Sequence, residues 1–132
     1  MPVPAGPLPS SILLWHADEL RSPPATCCCL RTTRAGARAA VYCTGPGGGV
    51  AALVDFTTDA TAHRDGSWAA EGVAHVFDSA VPRPVLLADD LLGPVFRYLR
   101  GRRRLPERAA RRLGDLLGSG RVIAVPLPNA DS

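Results

Sequence analysis

Eight arginines lie between Arg97 and Arg112 against one acid, Glu107, a local balance of +7 in a chain whose formal net charge is only +3. The rest of the chain is therefore net acidic. Positive charge concentrated in this way attracts a polyanion at long range. Each phosphate that it neutralises releases counterions and adds a salt-dependent increment of affinity. Arg100, Arg102, Arg103, Arg104 and Arg108 are the residues expected to contact a nucleic-acid backbone. The plainer alternative is a solvated helix face and connector, where most charge runs belong. Trp15 and Trp68, the two tryptophans, stand at the end of one predicted strand and the start of another. An aromatic face at a sheet rim stacks flat heterocycles, contributing roughly 1–3 kcal/mol per base without demanding a sequence. Core packing is the competing role for any large indole. Tyr42 leads into a glycine-rich segment and could add a wall. That segment, TGPGGG from Thr44, is no phosphate loop of the usual kind, because a strand rather than a helix follows it and the chain has no lysine. Glycines at this density still let a backbone approach a ligand closely, so Thr44 and Gly45 are candidate contacts beside their simpler role in a turn.

Other chemistries find less support. Cys27, Cys28 and Cys29 are consecutive and Cys43 stands apart, so they make neither a disulfide framework nor two spaced zinc pairs. They read as small apolar residues in a reducing compartment. His16, His63 and His75 are scattered, and no carboxylate pair or nucleophile and base occurs at a spacing that forces contact. No metal, no organic cofactor and no catalytic residue is expected. With 46% hydrophobic and 20% charged residues over 132 positions, the chain is a folding sequence of about one domain. No apolar run approaches the roughly 18 to 20 residues of a membrane span, and the start lacks the basic region of a secretory signal. A soluble, cytoplasmic protein with no membrane partner is the expectation.

These candidates need elements to hold them. Residues 1–10, rich in proline, read as an extended or disordered lead-in. SILLW, from Ser11, reads as a strand, and Ala25 to Leu30 as a second short one. Ala39 to Cys43 and Val50 to Phe56 flank the glycine turn as a hairpin or adjacent antiparallel strands. Residues 57–67 form a surface loop, and Trp68 to Phe77 a further strand with Val73, His75 and Phe77 on one face. Leu91, Val95 and Leu99 recur at helical spacing behind Asp89 and Asp90, which predicts a helix from about Asp90 to Leu99. A second helix begins at Pro106 and ends before Gly118, and Arg121 to Leu127 supplies a last strand. Strands first and helices late make the class α+β, with a mainly antiparallel sheet able to curl into a small barrel.

The passage GARAAVYCTGPGGGVAALVDF resembles the signature of EVE domains within the PUA-like superfamily: a hydrophobic strand, a small-residue turn, a glycine and a second hydrophobic strand. SILLW is similar to the first strand of that family, SWAAEGVAHVFDSAVPRP to its tryptophan-led strand, and LLADDLLGPVFRYLRGRRRLPERAARRLGDLL to its closing helical part. The related ASCH and YTH branches share this outline. Ala37 stands where the family usually has aspartate, and the stretch before Gly36 is shorter than is typical. The resemblance implies a PUA-like pseudobarrel with flanking helices over residues 11–127, followed by a tail at 128–132. It also implies a rim pocket for a modified base flipped from DNA or RNA, drawing on Trp15, Thr44, Gly45 and Trp68. A non-catalytic reader of nucleic acid is the function expected. The alternatives are a small enzyme or metabolite-binding protein on the same barrel, and a protein-interaction module using the basic patch.

Overall fold

The chain folds as β1 (Ser11–Trp15), a 3-10 turn (Ala17–Leu20), β2 (Arg38–Cys43), β3 (Gly49–Phe56), β4 (Thr61–Ala62), β5 (Trp68–Ala69) and β6 (Gly72–Pro82). There follow α1 (Arg83–Ala88), α2 (Gly93–Phe96), β7 (Arg103–Arg104), α3 (Glu107–Leu117) and β8 (Val122–Pro126). This is a computed structural model in which residues 2–23, 29–63, 66–118 and 120–128 are described. The main sheet has six strands in the order β7-β1-β2-β3-β6-β8, and β4 pairs with β5 in a separate ribbon. Among the described residues only β1 and β2 run parallel; the other neighbouring strands are antiparallel. The architecture is α+β, with a mixed and mainly antiparallel sheet.

The hairpin β2–β3 is the centre of that sheet. Its turn carries Pro46 and Gly47 at the two middle positions, with the Gly48 N–H donating to the Gly45 carbonyl at 3.0 Å and Gly47 at φ +72°. Proline first and a positive-φ residue second is the type II arrangement, which glycine adopts without strain. Gly49 is needed for a different reason: a Cβ there would lie 2.1 Å from the Val81 carbonyl oxygen. In β6, Phe77 to Ala80 stand opposite Ala51 alone, because Val50 pairs with Val81 and Ala52 with Val76. A bulge of this size bends the strand and increases its twist.

Both faces of the sheet are buried, so β2 reads as a continuous apolar run rather than an alternating one. Alternate residues sort into two cores. Ile12, Ala40, Tyr42 and Leu53 pack against Leu86, Phe96 and Leu113 of the helical layer. Leu13, Trp15, Val41, Val54 and Phe56 form the opposite core with Cys29 and Ala70. The lead-in also packs on the helical side: the Pro4 carbonyl accepts from Arg38 Nη2 at 2.9 Å, and Val3 packs against the core there.

Four expected elements differ. The helix foreseen from Asp90 to Leu99 is reduced to α2, Gly93–Phe96, and a separate helix, α1, precedes it. Pro84 stands in the first turn of α1, where its missing N–H costs nothing. The Asp89 carboxylate then takes the Leu91 and Leu92 N–H groups at 2.9 and 3.1 Å, opening a turn before Pro94. The strand foreseen from Trp68 to Phe77 is divided at Ala70 and Glu71, because Trp68 pairs with Ala62 outside the main sheet. By the same pairing, the loop foreseen at 57–67 contains β4. The strand foreseen from Ala25 to Leu30 falls mostly outside the described residues, and Cys29 and Leu30 are not in a strand.

Candidate nucleic-acid interface

One end of the sheet is formed by the starts of β1, β2 and β6, the end of β3, and β7 on the edge. Three cavities line up along this end and share walls. The first, about 560 Å³, is lined by Leu8, Ser10, Arg103, Arg104, Pro106 and Glu107 among others. The second, about 430 Å³, takes over Ser10 and Arg104 and adds Ser11, Thr32, Thr33 and Arg34. The third, about 370 Å³, keeps Thr32, Thr33 and Arg34 and ends on Arg31, Asp59 and Trp68. Adjacent along this end through shared lining residues, they form a row of depressions, called the groove below, from the arginine-bearing edge strand to a tryptophan.

The local folding explains each wall. Arg103 and Arg104 are presented because β7 pairs with Ser11 and Ile12 of β1 on one side only, and both side chains are exposed. Residues 31–36 are pinned by backbone bonds from the Thr33 N–H to the Leu30 carbonyl, from the Ala60 N–H to the Thr33 carbonyl, and from the Gly36 N–H to the Phe56 carbonyl. Asp59 accepts from the Ala35 N–H at 2.8 Å and, more weakly, from Arg34 Nη1 at 3.4 Å. The Ala35 hydrogen bond and the Arg34 charge hold the Asp59 carboxyl below the ordinary carboxylate value. Trp68 is half-buried, with part of its surface packed on the core that contains Trp15 and Phe56.

The five residues expected to share a base pocket do not converge. Trp15 is 2% exposed, and its Nε1 is buried without a hydrogen-bond partner among the described residues. Tyr42 lies in the other core, its ring 5.4 Å from that of Phe96. Strand alternation decides this, since Tyr42 and Cys43 must point to opposite faces. Thr44 and Gly45 are exposed at the turn end of the hairpin, whereas Trp68 lines the groove at the far end. Among the expected backbone contacts, Arg103 and Arg104 line the groove, while Arg100, Arg102 and Arg108 are exposed nearby in sequence. Arg111 and Arg112 are engaged with Glu107 at 2.8 Å and Asp89 at 2.5 Å.

Sequence reasoning passed over Arg31 and Arg34, which lie outside the arginine run, and Tyr98, which is 76% exposed within it. An aromatic among arginines was the available signal for Tyr98. It also passed over a buried charged cluster. Arg38, 5% exposed, donates to both oxygens of Asp55, at 2.6 and 3.0 Å, and His75 Nε2 lies 3.0 Å from Asp55 Oδ2. Burial pulls the Asp55 carboxyl up, but the Arg38 hydrogen bonds and charge together with His75 bring it below its ordinary value. Arg38 and Asp55 flank the hairpin at matching distances from its turn, and that symmetry was the signal missed. The Cys43 thiol is raised by burial and by the nearby Glu19, which makes it inert rather than reactive. No helix of the described residues is long and apolar enough to cross a membrane. No family model, curated protein or solved structure matches the chain.

Proposed function

We propose that the protein binds nucleic acid without turnover, laying a single-stranded or locally opened segment along the groove between β7 and Trp68. The shared walls of these cavities carry the reading: arginines recur from one to the next, and the last ends on a half-buried aromatic wall. A positive track with a stacking platform is the form that single-strand binding takes. Arg103, Arg104, Arg34 and Arg31 serve the phosphates, and Trp68 takes a base. A PUA-like pseudobarrel of the EVE kind is the fold this reading implies, and the pronounced bulge in β6 supports a curled sheet. The likeness to that family also suggests that the base is a modified one.

Fluorescence anisotropy with labelled DNA and RNA oligonucleotides over a range of salt tests the proposal. Replacing Arg34, Arg103 and Arg104 together with glutamine should lower the slope of log Kd against log salt by about 2, since each single-strand phosphate contact contributes about 0.7. Trp68→Ala should weaken binding about five- to a hundred-and-fifty-fold, the equivalent of roughly 1–3 kcal/mol of stacking, with the slope nearly intact. An unchanged slope in the triple variant would return the arginines to a solvated surface. A change in the oligonucleotide's mass after incubation would overturn the non-catalytic reading.

A further inference from the structure

We propose that the Trp68 end of the groove is a guanine subsite, in which Asp59 reads the Watson–Crick edge of a base stacked on Trp68. The inference deepens the nucleic-acid reading and rests on it. A groove built for phosphate gains nothing from a carboxylate, yet Asp59 lines the same cavity as Arg31, Arg34 and Trp68. A carboxylate repels phosphate and, when ionised, only accepts hydrogen bonds. Beyond the Ala35 N–H and Arg34 that already hold it, what its remaining lone pairs suit is a neutral group rich in N–H donors.

The geometry leaves Asp59 able to accept. The Ala35 N–H fixes one oxygen at 2.8 Å, while the contact from Arg34 to the other is 3.4 Å long, and the side chains are 80% and 55% exposed. That second oxygen keeps capacity for a ligand, and a carboxylate oxygen has more than one lone pair. Among the common bases only guanine places two donors side by side on its Watson–Crick edge, at N1 and the 2-amino group. Adenine and cytosine put an acceptor beside their amino group, and uracil flanks its single N–H with two carbonyls. A carboxylate facing any of these three would meet an acceptor as well as a donor. Unstacked bases in single strands are recognised by this combination of aromatic stacking and edge hydrogen bonds. The cavity, about 370 Å³, falls within the roughly 300–1,000 Å³ of small-ligand sites.

Three labelled uridine oligonucleotides test the subsite: one with a single guanosine, one with inosine at that position, and one with uridine throughout. Inosine lacks only the 2-amino donor. The guanosine strand should bind at least about tenfold more tightly than the inosine strand, the effect of one hydrogen bond to a charged acceptor. Asp59→Asn should bind the two equally, while Trp68→Ala should weaken both by the same factor. A wild type that binds all three strands alike overturns the guanine subsite and leaves nucleic-acid binding standing. Competition with free GMP and IMP distinguishes the two sources of a guanine ring. If GMP binds in preference to IMP and no strand binds, the subsite stands and the nucleic-acid reading falls. If neither strand nor nucleotide binds, both fall.

Discussion

Asp55→Ala is expected to destabilise the protein by at most about 3–5 kcal/mol, the result of leaving one member of a buried ion pair without its partner, and by less than that limit to the extent that Asp55 keeps 31% of its side chain in water. Arg38 is 5% exposed, holds both Asp55 oxygens and also donates to the Pro4 carbonyl, so removing the carboxylate leaves a buried guanidinium without its charge partner. Urea unfolding at neutral pH measures the loss. Its pH dependence gives a second, independent reading. The folded-state value of Asp55 is lowered, so its contribution is full above the ordinary carboxylate value of about 3.9 and is lost as pH falls through the folded value. The gap between wild type and Asp55→Ala should therefore narrow in acid. Combining Arg38→Met with Asp55→Leu should recover much of the stability, because replacing a whole buried pair by apolar residues is often neutral or better. A double variant as unstable as Asp55→Ala alone would show that the cluster contributes through more than its charges.

Trp15→Ala should cost about 3–5 kcal/mol of stability, the range for truncating a large buried aromatic. Trp15 is 2% exposed and packs in the core with Leu13, Val41, Cys43 and Phe56. Trp15→Phe should cost much less. It loses volume, but it also removes an indole N–H that is buried without a partner among the described residues, and such a group costs roughly 1–3 kcal/mol. Thermal melting and oligonucleotide binding, measured on both variants, test the assignment. Trp15→Phe that melts near wild type and binds normally places Trp15 in the core. A stable Trp15→Phe with sharply weakened binding would restore it to a ligand pocket. The contrast with Trp68→Ala is the informative comparison, since the same substitution is expected to act on melting at one tryptophan and on affinity at the other.

Local rules carried much of this protein. The hairpin at residues 36–56 is encoded by two apolar runs around Gly45-Pro46-Gly47-Gly48, a turn that proline and a positive-φ glycine specify within a few residues. Helix α3 follows from Pro106 and the apolar stripe Ala109, Ala110, Leu113 and Leu117, all buried. The concentration of arginine before that helix was legible as bare composition. Where neighbouring signals competed, local reading failed: the Asp89 carboxylate and Pro94 broke the apparent helix, and pairing with Ala62 drew Trp68 out of β6. The site was less legible still. Strand alternation sends Tyr42 to the helical core, and the long hairpin puts Thr44 and Gly45 at the far end of the sheet from Trp68. Arg31, Arg34 and Asp59 come beside Trp68 only because backbone bonds among Thr33, Gly36, Phe56 and Ala60 fold two loops together. Arg38, Asp55 and His75 meet across three adjacent strands. Periodicity and turn chemistry act over a few residues and can be read from the sequence itself, whereas which side chains meet across strands and loops depends on register and long-range pairing, and only the tertiary structure decided that.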